Sequence, residues 1–467
     1  MKNDKLIFSM SNNTLFNRTK PPAPEPESPV QFPEWHETQL SNGLKVLIYE
    51  EHSIPTVLLK LITKTGSIHD NDLYQLAGFT YTLLTHGTTS RSATQIADEI
   101  DFYGATLSSS AGFDKGTVSL NMMTKYLDEG LDLMADVVLN PTFPESELEF
   151  VRAQALSRLK ASYAEADHLA SDAFNKSVYQ SHPYGNPSAG TEASLQAIQT
   201  ADVKAFYEKY AAPNNAFLIV AGDVRIDDIV EKLEARFGAW QPKPVEPVSY
   251  PTPSESNANK VTVVHKDGAV QSTIYVGHLG FKRNHPDYIA FSVMNMILGG
   301  YFGSRLNLNI REQKGFTYSI HSTLEGNKEL GDFYVTVKVR NEVTREAIQE
   351  IMTELEKIRS EKVTEAELEA VKQYMTGMFV IRNESPAAIA SRLLVTELYD
   401  LPKDYNQTYS QKVRAVTSDD VLAVAQKYLH PANAYIVLSG DAKAVAPSLS
   451  DFGEVSCLDA MGNKFEG

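Results

Sequence analysis

The sequence predicts an α+β protein built from two homologous domains, each an antiparallel-rich sheet packed with helices, related by internal duplication. Three observations carry this. The chain has 467 residues, and at roughly 100–200 residues per domain it can hold two to four cores. The stretch Lys209-Tyr210-x-x-Pro213-x-Asn215-Ala216 returns as Lys427-Tyr428-x-x-Pro431-x-Asn433-Ala434, and each copy runs into an apolar strand ending in Gly-Asp, 217–223 and 435–441. Upstream, Glu145-x-Glu147-Leu148-Glu149-x-Val151-Arg152 returns at nearly the same separation as Glu365-x-Glu367-Leu368-Glu369-x-Val371-Lys372. Two patterns in one order at one spacing mark a repeat.

In chain order, residues 1–33 are polar and carry Pro21, Pro22, Pro24, Pro26, Pro29 and Pro33, which predicts a disordered or extended arm. The first domain is expected over 34–240. It opens with β-rich runs at 43–49 and 56–62, then helices near 72–86 and 92–103 and strands at 105–110 and 116–122. From Thr124 to Leu139 the apolar residues Leu127, Leu131, Met134 and Val138 fall at helical spacing. A long helix is expected from about Glu145 to Ala166, with Pro144 ahead of it and acidic residues in its first turn. Residues 241–259 contain Pro242, Pro244, Pro247, Pro251 and Pro253 and read as a semi-rigid linker. The second domain repeats the order over 260–445, and 446–467 reads as a C-terminal tail.

Composition narrows the function classes. Against 59 Asp and Glu stand 43 Lys and Arg, a formal charge of −16. A nucleic-acid surface needs clustered cations to displace counterions, so that class is disfavoured. No run approaches the roughly 20 apolar residues of a membrane helix. A single cysteine, Cys457, excludes an internal disulfide and a Cys-based zinc site. It fits a reducing, cytoplasmic location; removal of a leader would make the location periplasmic.

A group of motifs points to one family. They are Leu40-Ser41-Asn42-Gly43-Leu44-Lys45-Val46, Gly66-Ser67, His86-Gly87-Thr88, His182-Pro183-Tyr184-Gly185, and Ser304-Arg305-Leu306 leading to Ile310-Arg311-Glu312. In this order, and with the duplication, the chain resembles the insulinase/pitrilysin-type zinc metallopeptidases, in the half-length branch that includes mitochondrial-processing-peptidase subunits. The resemblance covers about 32–441.

That family implies an inverted motif, His-x-x-Glu-His, in the first repeat. Residues i and i+4 share a helix face, so the two His hold one zinc, and the Glu acts as general base. Counted back from Gly87-Thr88, its place here is Gly78-Phe79-Thr80-Tyr81-Thr82. Gly78 and Thr82 replace the two His, and Tyr81 replaces the Glu. None of the 11 histidines forms a pair four apart. The family's third ligand, a Glu on the long helix, falls near Ser157-Arg158-Leu159, where no carboxylate stands. No metal is therefore expected on this chain, and the isolated protein is expected to be inactive as a peptidase.

A second family signature survives. An Arg and a Tyr seven residues apart in the later repeat reach across to the zinc site, and here they are Arg311 and Tyr318. The resemblance implies that they stabilise the substrate carbonyl as it becomes an oxyanion. It also implies a heterodimer with a homologous zinc-bearing subunit and an unfolded peptide as substrate. The alternative is a non-catalytic scaffold or peptide-binding protein of the same fold. Among lesser features, the Gly299-to-Gly303 run allows tight turns. His182-Pro183-Tyr184-Gly185 reads as a turn that orders a loop, and His86 as a residue at a helix C-terminus. The charge run from Glu354 to Lys362 reads as a solvated helix face.

Overall fold

The computed structural model describes residues 32–466. The reading of 1–33 as an arm lies outside those residues except at its end, where Phe32 is buried against the first sheet.

Each half forms a six-stranded mixed sheet. The first contains β1 (His36–Gln39), β2 (Lys45–Glu50), β3 (Thr56–Thr63), β4 (Thr106–Ala111), β5 (Gly116–Met123) and β6 (Ala216–Gly222), in the order β1-β2-β6-β3-β5-β4. The second contains β7 (Lys260–His265), β8 (Gln271–Leu279), β9 (Ile320–Gly326), β10 (Gly331–Arg340), β11 (Tyr435–Gly440) and β12 (Glu454–Leu458), in the order β12-β7-β11-β8-β10-β9. Strand for strand the two orders coincide, and the parallel pair β2–β6 recurs as β7–β11. The halves differ at one edge. β1 lies antiparallel to β2 and comes from the N-terminal side, whereas β12 lies parallel to β7 and comes from the C-terminal end.

The expected tail at 446–467 is thus corrected, because it supplies β12. Its alternation, with Val455 and Cys457 packed on the core between the outward Glu454 and Ser456, is too short to stand out in a polar segment. Cys457 pairs in register with Val263, and burial raises its thiol above the ordinary value. The first helix is also shorter than expected, Leu76–Leu83. Asp70 sets its start: the carboxylate accepts from the backbone N–H groups of Gln75 and Ala77, each at 2.8 Å. This satisfies donors that a helix N-terminus leaves open.

The two halves exchange a helix. Helix Ala166–Tyr179 belongs to the first half, yet Phe174 packs on Tyr275 and Tyr334 of the second sheet at ring separations of 5.4 and 5.6 Å. Helix Pro386–Leu398 does the reverse, setting Ile389, Leu393 and Leu398 against Leu47, Ile62 and Phe217 of the first sheet. Each sheet is therefore covered on one face by its own helices and on the other by its sibling's. This is why β6 and β11 are buried at every position and read as unbroken apolar runs.

Candidate active site

The zinc-motif positions lie together on helix Leu76–Leu83. Gly78 offers no side chain and Thr82 only a hydroxyl. Tyr81 is buried, and its hydroxyl shares a hydrogen bond with Thr63 Oγ1 on β3. Its ring fills the space over Gly116 on β5, where a Cβ would stand 1.8 Å from a ring carbon. Burial pushes the phenol up to about 12, so it stays neutral and cannot take a catalytic proton at ordinary pH. On helix Glu145–Ser162, Leu159 faces the core and Arg158 faces solvent. Glycine, threonine, tyrosine and leucine are not a zinc donor set, and the residues present do not fit the metal. Among the described residues no three His, Cys, Asp or Glu side chains gather closely enough to hold one.

His86 lies three residues past the end of this helix, and its Nδ1 donates to the Thr82 carbonyl at 2.9 Å. It serves the helix C-terminus without extending the helix.

The structure brings Arg311 and Tyr318 together. Two π-helical turns, Met296–Gly300 and Asn307–Gln313, flank the Gly-rich run; such turns are rare and often mark functional sites. Gly299 is required here by close approach, since a Cβ would meet the backbone N of Ser322 on β9 at 2.7 Å. Asn307 then donates to the carbonyls of Tyr301 and Ile320 at 3.2 and 3.0 Å. Asn309 donates to Glu350 and Glu354, both at 2.9 Å. Glu354 is 5% exposed, which corrects the reading of that charge run as wholly solvated. Its carboxylate anchors the turn that carries Arg311. After Gln313 the chain reverses at Gly315, whose φ of +63° lies in the left-handed region.

The guanidinium of Arg311 consequently stands 4.2 Å over the ring of Phe302 and 5.6 Å from that of Tyr318. Both rings are outward, Phe302 at 68% and Tyr318 at 87% exposure. Glu312, itself exposed, lies 3.2 Å from Arg311 Nη1, which is buried. Nothing in the sequence marks Phe302 as part of this cluster beyond an aromatic residue beside glycines.

His182-Pro183-Tyr184-Gly185 forms a turn, as expected, but with a further task. The fully buried Tyr184 donates to Asp114 Oδ1, and Asp114 Oδ2 accepts the backbone N–H of Lys328 at 3.0 Å. The β4–β5 hairpin of one half is thereby latched to the β9–β10 hairpin of the other.

Comparison with known proteins identifies the family. The family model described as Insulinase (Peptidase family M16) matches residues 45–192, and the one described as Peptidase M16 inactive domain matches residues 197–375. The chain belongs to the insulinase family, peptidase M16. An uncharacterized zinc protease of Rickettsia felis is 27% identical over 396 residues, covering 84% of this chain and 94% of that protein. A protein of Helicobacter pylori named non-peptidase homolog YmxG is also 27% identical, covering 81% and 88%. Among solved structures, a peptidase M16 inactive domain from Pseudomonas fluorescens superposes with a TM-score of 0.81 at 28% identity, over 87% of this chain and 98% of that one. The Escherichia coli periplasmic protease PqqL gives a TM-score of 0.74 at 18% identity; 90% of this chain is covered but only 49% of PqqL. Within the M16 family this chain keeps the two-domain fold and lacks the metal-binding side chains of the inverted motif.

Proposed function

We propose that this chain is the non-zinc subunit of a two-chain zinc peptidase that degrades or processes peptides, lending Arg311 and Tyr318 to a homologous partner. One contrast carries the reading. The zinc-motif helix is closed by Tyr81 against Thr63 and Gly116, whereas Arg311 and Tyr318 are grouped, with Tyr318 87% exposed and Arg311 half-buried beside it. A phenol open to solvent next to a guanidinium held over an aromatic face is placed to meet something outside its own chain. A guanidinium and a phenol supply hydrogen-bond donors for a developing oxyanion, and removal of one such donor typically costs about 10²–10³ in rate. The partner's metal would act as Lewis acid. That this fold accounts for about half of PqqL's length supports assembly in pairs.

Substrate would be an unfolded peptide added along a sheet edge, where β4 and β9 end their sheets. The chain would carry no metal of its own and work in the cytoplasm. The H. pylori relative named a non-peptidase homolog favours a second reading, a scaffold or peptide-binding protein of the same fold.

The test is reconstitution. This protein, a zinc-motif-bearing M16 subunit and their mixture are assayed on flexible fluorogenic peptides. The proposal expects cleavage by the mixture well above the sum of the parts, with no zinc retained by this chain alone in metal analysis. Full activity of the partner alone, unchanged by addition, contradicts it and leaves the scaffold reading.

A further inference from the structure

A second concave region opens beside helix Glu365–Ile381, with a volume of about 920 Å³ open to solvent. Its wall combines three chemistries. Arg382 and Arg392 bring positive charge; Met375, Met378 and Phe379 form an apolar side; Asn295 contributes an amide.

The charge is unbalanced. Arg392 donates through Nε to Asn383 Oδ1 at 3.2 Å and lies 4.9 Å over the Phe379 ring, which leaves its terminal nitrogens without a hydrogen-bond partner among the described residues. Arg283 stands close behind, donating to the Tyr405 hydroxyl at 3.0 Å, with its own Nη1 buried and unpartnered. Among the described residues no carboxylate reaches ion-pair distance of Arg283, Arg382 or Arg392. Burial, with repulsion from the two other arginines, holds Arg392 below its ordinary value. In a protein of formal charge −16, cations gathered without a counter-ion leave room for an anion from outside.

Asn295 adds an independent requirement. It is 9% exposed. Its Nδ2 donates to the Ser322 carbonyl at 3.1 Å, which fixes the amide and turns Oδ1 away, and Oδ1 has no partner. A buried acceptor without a donor costs about 1–3 kcal/mol, and the residue that carries it lines this same cavity. The occupant should therefore bring a carboxylate for the arginines and an apolar group for the methionines and Phe379.

We infer that the cavity binds a peptide carboxylate, the C-terminal one fitting best because its residue carries an acid and a side chain within one unit. The segment 300–302 joins this cavity to the proposed active site. Gly300 and Tyr374 line the cavity, Tyr301 packs on Tyr374 at 5.4 Å, and Phe302 carries Arg311. A peptide crossing Arg311 and Tyr318 can thus reach the cavity with a downstream end. The inference rests on the peptide-handling reading for the class of ligand only.

The test is binding to the isolated full chain, so neither partner nor cleavage is involved, and its failure leaves the trans-acting role of Arg311 and Tyr318 untouched. Three labelled, unstructured peptides are compared by fluorescence polarisation. One ends in Phe with a free acid, one is its C-terminal amide, and one is that amide with an internal Glu. The free acid is expected to bind at least about tenfold more tightly than the amide, the worth of one charge-assisted contact. R382Q and R392Q should remove that difference, bringing the free acid down to the level of the amide. R382Q alters an exposed side chain and keeps the test valid if R392Q misfolds. An Arg-dependent gain confined to the internal Glu supports the carboxylate site and assigns it to an acidic side chain. Equal binding of all three, or equal loss for acid and amide in both variants, overturns the inference.

Discussion

The ring of Tyr81 occupies the space above Gly116, and its hydroxyl is hydrogen-bonded to Thr63. On the proposed register of the family's motif, Tyr81 stands at the general-base position, and there its side chain packs in the core. Gly116→Ala would drive a methyl into the ring, a form of overpacking expected to cost about 1–3 kcal/mol. Tyr81→Phe, which keeps the ring and strands the Thr63 hydroxyl, should cost about 1–2 kcal/mol. Urea unfolding of both variants checks the order.

The exchanged helices make the halves interdependent. Phe174 is 1% exposed, yet its neighbours Tyr275 and Tyr334 lie in the other half. Phe174→Ala should cost about 3–5 kcal/mol, and the transition should remain single because neither sheet keeps both faces covered alone. Two separated transitions by circular dichroism would show that the halves fold independently.

Asp114→Ala removes the acceptor shared by Tyr184 and the Lys328 backbone. With the buried Tyr184 hydroxyl and the part-buried Lys328 N–H left open, a loss of about 2–3 kcal/mol is expected. Tyr184→Phe keeps the Lys328 bond but loses both the bond to Asp114 and the Glu329 N–H that the hydroxyl accepts at 3.2 Å, and should cost a similar amount. A double-mutant cycle reads the coupling.

Acid should weaken the same region through His182. Burial depresses this imidazole to about 4 from 6.5. Its contribution to stability is complete above pH 6.5 and is lost as pH falls toward 4. His69 and His278, each near 4 and also depressed chiefly by burial, act in the same direction. Asp70 opposes them: burial raises its carboxyl to about 7, so its contribution is complete at low pH and lost as pH rises through 7. The clean readout is a difference. His182→Asn keeps an acceptor for the Tyr184 N–H and removes the titration. Its deficit against the natural protein should narrow between pH 7.5 and 4.5, by up to about 3 kcal/mol. A deficit independent of pH contradicts the assignment.

The duplication was legible because the Lys-Tyr-x-x-Pro-x-Asn-Ala signature and the strand after it sit in both halves at fixed spacing. The displaced zinc motif was legible for a similar reason, since Gly87-Thr88 fixes the register of Gly78, Tyr81 and Thr82. What sequence did not show depends on contacts between distant segments. The helix exchange is silent because Ala166–Tyr179 and Pro386–Leu398 would carry the same apolar stripe whichever sheet they covered. The edge strands β1 and β12 are four and five residues long, too short for alternation to register. The start of the first helix depends on Asp70, six residues before Leu76 and outside the usual capping position. Glu354 looked solvated because its partner, Asn309, lies 45 residues away in sequence.

On the proposed function, Arg311 and Tyr318 act on a substrate held at another chain's metal. In the reconstituted pair, kcat and KM are measured for the natural protein, for Arg311→Ala and for Tyr318→Phe, with thermal unfolding and assembly of each variant checked alongside. A fall in kcat of about 10²–10³ is expected for Arg311→Ala, with a smaller fall for Tyr318→Phe, little change in KM, and intact assembly. Full kcat in both variants, with the pair correctly assembled, would contradict it.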